Sequence, residues 1–286
     1  MNIGLHDPDN TNYPNLALMK LSAWHKAKGD EVSFFNACCE YDKIYSSKVF
    51  TWTTDFYLPQ SAQKGGIGYR LFDTLSDEIE HICPDYSLYG IDYSMGFLTR
   101  GCPNKCSWCI VPEKEGNIQY HAKIEEFVRH KNVVLMDPNV LACDYGIQQI
   151  EKIINLRLKV DFNQALDARV IDEGIAKRLS KVKWLHPVRL ACDSKGQMEA
   201  VQKAVTLLRW HNTRPARYFV YIMVKDIESA LERAKFIKGL YCDPFAQPYR
   251  DFDNKIIPTE EQKRFSRWVN HKAIFNSVAW EDYKKF

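Results

Sequence analysis

This 286-residue sequence lacks any uninterrupted apolar stretch long enough to span a bilayer, which argues against a membrane-spanning helix. Its first residues lack the basic, then apolar, then small-residue order of a secretory leader, so a cytoplasmic location without a membrane partner is expected. Charge of one sign is not in excess. The 39 Lys and Arg against 36 Asp and Glu leave +3, too little to argue for nucleic acid by electrostatics alone. No segment is polar enough to read as disordered; 45% hydrophobic and 26% charged residues are the proportions of a globular chain with a substantial core. Also missing are a Ser-His-Asp order, an H-E-x-x-H pair and a paired-carboxylate signature. The run Lys64-Gly65-Gly66-Ile67-Gly68 matches neither the dinucleotide nor the P-loop pattern and reads as a flexible turn. His81, His121, His130, His186 and His211 have no ligand-like spacing.

Cysteine is where the sequence is rich. Nine is an odd number in a chain that is not small, so a secreted disulfide framework is excluded and a reducing compartment is implied. Six of the nine, Cys38, Cys39, Cys83, Cys143, Cys192 and Cys242, are scattered and read as small buried hydrophobes. The other three, Cys102, Cys106 and Cys109, lie four and then three residues apart in one short loop, Gly101-Cys102-Pro103-Asn104-Lys105-Cys106-Ser107-Trp108-Cys109. Thiolates so close wrap one soft-ligand site, and no fourth cysteine follows until Cys143, so three protein ligands would leave an iron open for a substrate or cofactor. A zinc site completed by a nearby histidine, or unliganded core thiols, also accommodates the spacing.

The C-x3-C-x-aromatic-C pattern, with Trp108 as the aromatic, resembles the signature loop of the radical S-adenosylmethionine (radical SAM) superfamily. The wider run from Gly96 to Gly116 is similar to the branch that contains methylthiotransferases and cobalamin-domain radical enzymes. The resemblance implies a 4Fe-4S cluster on Cys102, Cys106 and Cys109, with S-adenosylmethionine bound to the fourth iron and cleaved reductively to a 5'-deoxyadenosyl radical. It further implies a reducing electron-transfer protein as partner and an unidentified substrate. An RNA-modifying methylthiotransferase-like enzyme is the alternative, although Cys38, Cys39 and Cys83 poorly replace that family's second three-cysteine set. A non-enzymatic metal or iron-sulfur protein is the alternative of a different class.

Downstream of the loop, strand-like runs alternate with amphipathic helical stretches. Strands are expected at Ser94 to Leu98, Val133 to Met136, Val160 to Asn163, Val188 to Ala191, Tyr218 to Val224 and Asp243 to Gln247. Ile147, Ile150, Ile153 and Ile154 form one helical face, Ile171, Ile175 and Leu179 another, and Val201, Val205 and Leu208 a third; Asp226 is placed to cap the next helix. Strands separated by helices give a parallel sheet with right-handed crossovers. The expected fold is therefore α/β, a partial parallel (β/α)6 barrel over residues 95–250, which is the radical SAM barrel that the resemblance implies. A small α/β domain over 1–94 precedes it and a helical extension over 251–286 follows.

The first domain reads as a βαβ unit: a strand from Asn2 to Leu5, a helix from Pro14 to Ala27 ended by Gly29, and a strand from Glu31 to Phe35. It is similar to a truncated cobalamin-binding domain, but the D-x-H-x-x-G motif is absent, since neither His6 nor His25 follows an aspartate by two residues. Cobalamin is not expected. The tail interleaves Arg264, Arg267, Trp268, His271, Lys272, Phe275 and Trp280, a mixture that can bind single-stranded RNA; a helix packing its aromatic face is the preferred reading.

In parallel α/β folds ligands sit at the carboxyl ends of strands. Asp137, with Asn139 assisting, occupies the position of the family's Gly-Gly-Glu motif and is expected to accept the methionine ammonium. Arg169 is expected to clamp the methionine carboxylate. Asp193 and Ser194 are expected at the ribose, Ile222 on the adenine side, and Gln247, Tyr249 and Arg250 toward substrate.

Overall fold

The computed structural model describes residues 1–215, 217–253 and 255–283. They form a mixed α/β structure whose contacts divide it into two units, Met1–Gly96 with Ala122–Val133, and Phe97–His121 with Val134 onward. Among the described residues no helix is long and apolar enough to cross a membrane.

In the first unit, β1 (Asn2–His6), β2 (Glu31–Phe34), β3 (Lys43–Ser47) and β4 (Gln63–Gly65) form a sheet in the order β2-β1-β3-β4 with every pairing parallel. Ile3 and Leu5 of β1 are fully buried, and Leu18 and Leu21 of the helix Leu16–Ala27 cover them. Asn15 caps that helix by accepting from the Leu18 N–H (3.3 Å) and reaches the Ser47 carbonyl (2.9 Å) with its amide. Past the helix, Gly29 takes φ +83°, a left-handed turn that only glycine adopts freely. His25 is a core residue, its two ring nitrogens bonded to Asp30 Oδ2 (2.6 Å) and Tyr45 Oη (3.0 Å). His6 ends β1 and bonds through Nδ1 to Ser46 Oγ (2.9 Å) on β3.

The glycine-rich run is not a loose turn. Gln63–Gly65 is the strand β4, and a Cβ on Gly66 would lie 2.6 Å from the Lys48 carbonyl oxygen, so the backbones approach more closely than any other residue permits. β5 (Ser94–Gly96) completes the N-terminal part of this unit. Residues 122–133, which the sequence reading assigns to the barrel, pack here instead. Tyr86 Oη donates to the Phe127 carbonyl (2.6 Å), and the Phe127 ring lies where a side chain on Gly96 would stand.

In the second unit, β6 (Thr99–Arg100) and β7 (Gln119–Tyr120) pair antiparallel and bracket the cysteine loop. β8 (Asn132–Leu135) runs into this unit, where β9 (Lys159–Phe162) and then β10 (Lys183–Trp184) lie beside it. β11 (Val188–Ala191), β12 (Tyr218–Val224) and β13 (Asp243–Pro248) form a parallel three-stranded sheet. A parallel bridge between Leu166 and Leu190, with Leu166 N–H donating to the Arg189 carbonyl (2.9 Å), links the segment after β9 to β11. The helices Asp144–Asn155, Glu173–Leu179, Met198–Trp210 and Ile227–Gly239 intervene, and bury Ile150 and Ile153, Ala176 and Leu179, Val201, Val205 and Leu208, and Ala230, Ala234 and Ile237 respectively. Asp226 caps the last of these by accepting from the Ser229 N–H (2.7 Å).

Period-two alternation decides what β12 shows to each side. Tyr218, Val220, Ile222 and Val224 are fully buried, while Phe219, Tyr221 and Met223 are half-buried. The Phe219, Tyr221 and Phe245 rings pack together on the second face, with centroids 5.1–5.8 Å apart.

The tail folds back on this unit as the helices Glu260–Asn270, Lys272–Ser277 and Trp280–Tyr283, with residues 284–286 of the expected extension lying outside the described residues. Thr259 and Gln262 form a capping box at its start. Trp268, Phe265, Phe275 and Trp280 are buried together, and Trp268 Nε1 donates to the Val278 carbonyl (3.0 Å). Asn270 exchanges two hydrogen bonds with the Ala246 backbone (2.8 and 3.0 Å), so its amide substitutes for a further strand beside β13.

Candidate cofactor site at the cysteine loop

The cysteine loop is held at both ends by its own backbone. Gly101 takes φ +77°, and a Cβ there would come within 2.3 Å of the Asn117 carbonyl oxygen, which requires glycine before Cys102. Glu115 accepts from the Gly101 N–H (2.8 Å) and pairs with Arg100 (2.8 Å), whose guanidinium covers the Phe97 ring at 4.0 Å. Cys102 N–H then donates to the Gly116 carbonyl (3.2 Å), and Cys109 N–H to the Cys106 carbonyl (3.0 Å).

Asp137, two residues past β8, anchors the start of this loop. Its buried carboxylate accepts from the N–H groups of Leu98 (3.0 Å) and Thr99 (2.5 Å) and from the Thr99 hydroxyl (2.7 Å). Most of its acceptor capacity is thus spent inside the protein, which corrects the expectation of a free ammonium acceptor. Burial pushes its carboxyl up to about 6, against the opposing pull of the Thr99 and Leu98 bonds.

The sign of that shift gives a test. A carboxyl raised in the folded state favours folding at low pH, and that contribution is lost as pH rises from the ordinary Asp value of 3.8 through about 6. Apo-protein unfolded by urea between about pH 4 and pH 7 is expected to lose stability with rising pH relative to Asp137→Asn. Asp137→Ala, which strands two buried N–H groups at roughly 1–3 kcal/mol each, is expected to cost about 3 kcal/mol at neutral pH. A flat difference curve and an unshifted alanine variant contradict this account.

Asn139, four residues past β8, is 3% exposed. Its Nδ2 donates to Cys102 Sγ (3.5 Å) and to Asp167 Oδ2 (3.0 Å), while its Oδ1 is buried without a partner. Asn104, inside the loop, repeats the arrangement: its Nδ2 donates to Cys102 Sγ (3.5 Å) and to Asp167 Oδ2 (2.8 Å). Arg169 grips the same carboxylate with Nε on Oδ1 (2.7 Å) and Nη2 on Oδ2 (2.9 Å). It therefore holds Asp167, where the sequence reading expects it to hold a methionine carboxylate. That bond raises the Arg169 pKa, with smaller contributions from the neighbouring Cys106. Burial opposes ionisation of Asp167, but Arg169 and Asn104 outweigh it and hold the carboxyl below its ordinary value.

Asp193, two residues past β11, crosses to β12, where its Oδ1 accepts from the Met223 N–H (3.0 Å). Burial raises its pKa, and its charge adds to the burial that raises the pKa of Cys109. Ser194 and Asp193 both give their N–H groups to Gln197 Oε1 (3.1 and 2.6 Å), which fixes the turn. After β12, Lys225 lies over the Trp108 ring (5.4 Å) and the Tyr249 ring (4.2 Å), bringing the ends of β12 and β13 to the loop.

The structure thus gathers Asp137, Asn139, Arg169 and Asp193 at the loop, with Ser194 in the turn behind Asp193. Ile222 it does not. The alternation of β12 turns this side chain into the buried face, and its neighbours Tyr221 and Met223 stand on the other. Sequence reasoning missed the parts played by Asp167, Asn104 and Lys225. An Asp two residues before an Arg, and an amide between two loop cysteines, were the available signals.

Among the described residues, no three His, Cys, Asp or Glu side chains are arranged to hold a single metal ion. The donor set fits an iron-sulfur cluster in its chemistry: three thiols in one loop, two amide N–H groups directed at one sulfur, and one buried acceptor left open.

No protein-family model and no curated protein matches this chain.

Proposed function

We propose that this chain is a radical SAM enzyme, with a 4Fe-4S cluster on Cys102, Cys106 and Cys109 and an unidentified substrate. The observation that supports the reading best is the convergence of strand ends on the cysteine loop. Asn139 beyond β8 and Asp167 beyond β9 serve Cys102, Arg169 lies beside Cys106, and Lys225 beyond β12 lies over the Trp108 ring of the loop. Parallel α/β folds bind ligands at that end of their strands. The succession β8, β9, β11, β12 and β13, joined at Leu166–Leu190, is compatible with a partial barrel of the kind the family uses.

When bound, the cluster would supply the electron for reductive cleavage of the sulfonium. The protein's own groups account for binding and orientation. Asn139 Oδ1 is the open acceptor for the ammonium in place of Asp137, since its amide hydrogens are already committed. Asp193 keeps Oδ2 free for a ribose hydroxyl after Oδ1 takes the Met223 N–H. Arg169 positions Asp167, and Lys225 orders Trp108 and Tyr249 at the mouth. A low-potential electron-transfer protein completes the system. The tail lends no support to an RNA substrate, because the rings that would stack on bases are packed on one another.

Anaerobic reconstitution with iron and sulfide tests the metal assignment. The expected product is brown and holds about four irons per chain, with Fe–S charge-transfer absorption that dithionite bleaches. Stoichiometric zinc with no retained iron contradicts it.

A further inference from the structure

We infer that Asp167, by holding the amides of Asn104 and Asn139 against Cys102, raises the reduction potential of the cluster assigned to this loop; this rests on the iron-sulfur reading above. Each amide has two hydrogens, and Asp167 Oδ2 takes one from each, at 2.8 and 3.0 Å. With that hydrogen fixed, the planar amide aims its second at Cys102 Sγ, at 3.5 Å in both cases. Two independent donors from different parts of the chain, one in the loop and one beyond β8, therefore meet on a single sulfur. Asp167 is immobilised in turn by Arg169, which binds both of its oxygens and donates its own backbone N–H to Oδ1 (3.1 Å). A lone buried carboxylate beside thiolates would disfavour further negative charge. Here three donors offset the charge of Asp167, and two of them, Asn104 and Asn139, pass a second N–H on to the sulfur.

Reduction adds an electron whose charge spreads onto the cysteine sulfurs. Hydrogen bonds to those sulfurs stabilise the reduced form more than the oxidised form, and so raise the potential. Asn104→Ala and Asn139→Ala each remove one donor. Asp167→Asn preserves the shape but replaces a charged acceptor that binds three groups with a neutral amide, so both donors are held less firmly. Asp167 is a positioning residue in this scheme, and its substitution should act through the two asparagines.

The test is an EPR-monitored redox titration of the anaerobically reconstituted full chain, with iron and sulfide content measured on every sample. Each asparagine variant is expected to make the cluster harder to reduce by about tenfold, a fall of 59 mV for a one-electron couple. Asp167→Asn alone combines two opposed effects, the weakened hold on both amides, which lowers the potential, and the loss of a negative charge paired with Arg169, which raises it. Added to the double asparagine variant, where no amide remains to be held, Asp167→Asn is expected only to raise the potential through its lost charge; a smaller rise, or a fall, in the unsubstituted background is the coupling that marks a positioning role, and equal shifts in the two backgrounds overturn that role. If Asn139→Ala prevents loading, Asn104→Ala carries the test, because that residue sits in the loop. Full clusters with unmoved potentials overturn this inference and leave the iron-sulfur reading standing. Failure of the unmodified chain to take up a cluster overturns both.

Discussion

Truncating Trp268 to alanine is expected to cost about 3–5 kcal/mol of stability, the range for deleting a large aromatic from a core. Trp268 is 3% exposed and touches Phe265, Phe275 and Trp280 with ring centroids 4.9–5.6 Å apart. Its Nε1 also satisfies the Val278 carbonyl, so the substitution opens a cavity and strands a buried acceptor. Arg267→Ala, an exposed position on the same helix, is expected to stay within about 0.5 kcal/mol. Urea unfolding of the two variants at two salt concentrations checks this. Equal stability for both contradicts the account of the tail as a packed helical layer. A salt-sensitive loss of RNA binding in Arg267→Ala would return the segment to nucleic-acid recognition.

Replacing Cys102, Cys106 or Cys109 singly with alanine is expected to remove the cluster. Losing an outer hydrogen-bond partner of a metal ligand costs roughly 10–100-fold in affinity, and losing the ligand itself exceeds that. The loop geometry is expected to survive these changes. Gly101, Glu115 and Gly116 hold its ends by backbone and carboxylate contacts that involve no sulfur. Fold and thermal transition should therefore remain close to those of the unsubstituted apo-protein while iron content collapses. Cys143→Ala is the matching control. That thiol accepts a bond from the Gly146 N–H at a helix start, away from the loop's own partners, and iron content should not change.

Much of this architecture is legible in the sequence where burial dictates pattern. Tyr218–Val224 is a strand over the expected residues, and β8, β9, β11 and β13 begin and end within a residue or so of expectation. Tyr218–Val224 is apolar throughout because both of its faces meet protein. β3 and β4 escape notice because Lys43–Ser47 and Gln63–Gly65 are short and polar. Residues 122–133 were assigned by their place in the chain, whereas Phe127 packs on Gly96 in the first unit, a contact with no local signature.

At the site, spacing alone singled out the three thiols and the strand ends. Which carboxylate does which task was not readable. Asp137 is consumed by Leu98 and Thr99, and Asp167 gathers Asn104, Asn139 and Arg169, because of tertiary approaches between segments about 30 to 60 residues apart. Ile222 shows the reverse case. Alternation within β12 was available from the sequence, but choosing which face a strand turns outward needed the helix that covers it.

The central claim is that the cysteine loop supports reductive cleavage of S-adenosylmethionine, and the most direct test is the nucleoside released. Reconstituted protein is mixed anaerobically with S-adenosylmethionine and dithionite, and 5'-deoxyadenosine is quantified by chromatography against the Cys102→Ala, Cys106→Ala and Cys109→Ala variants. The account predicts 5'-deoxyadenosine from the unsubstituted chain and none above background from any variant. A fully loaded cluster that releases no 5'-deoxyadenosine, or equal release from the cysteine variants, would contradict it.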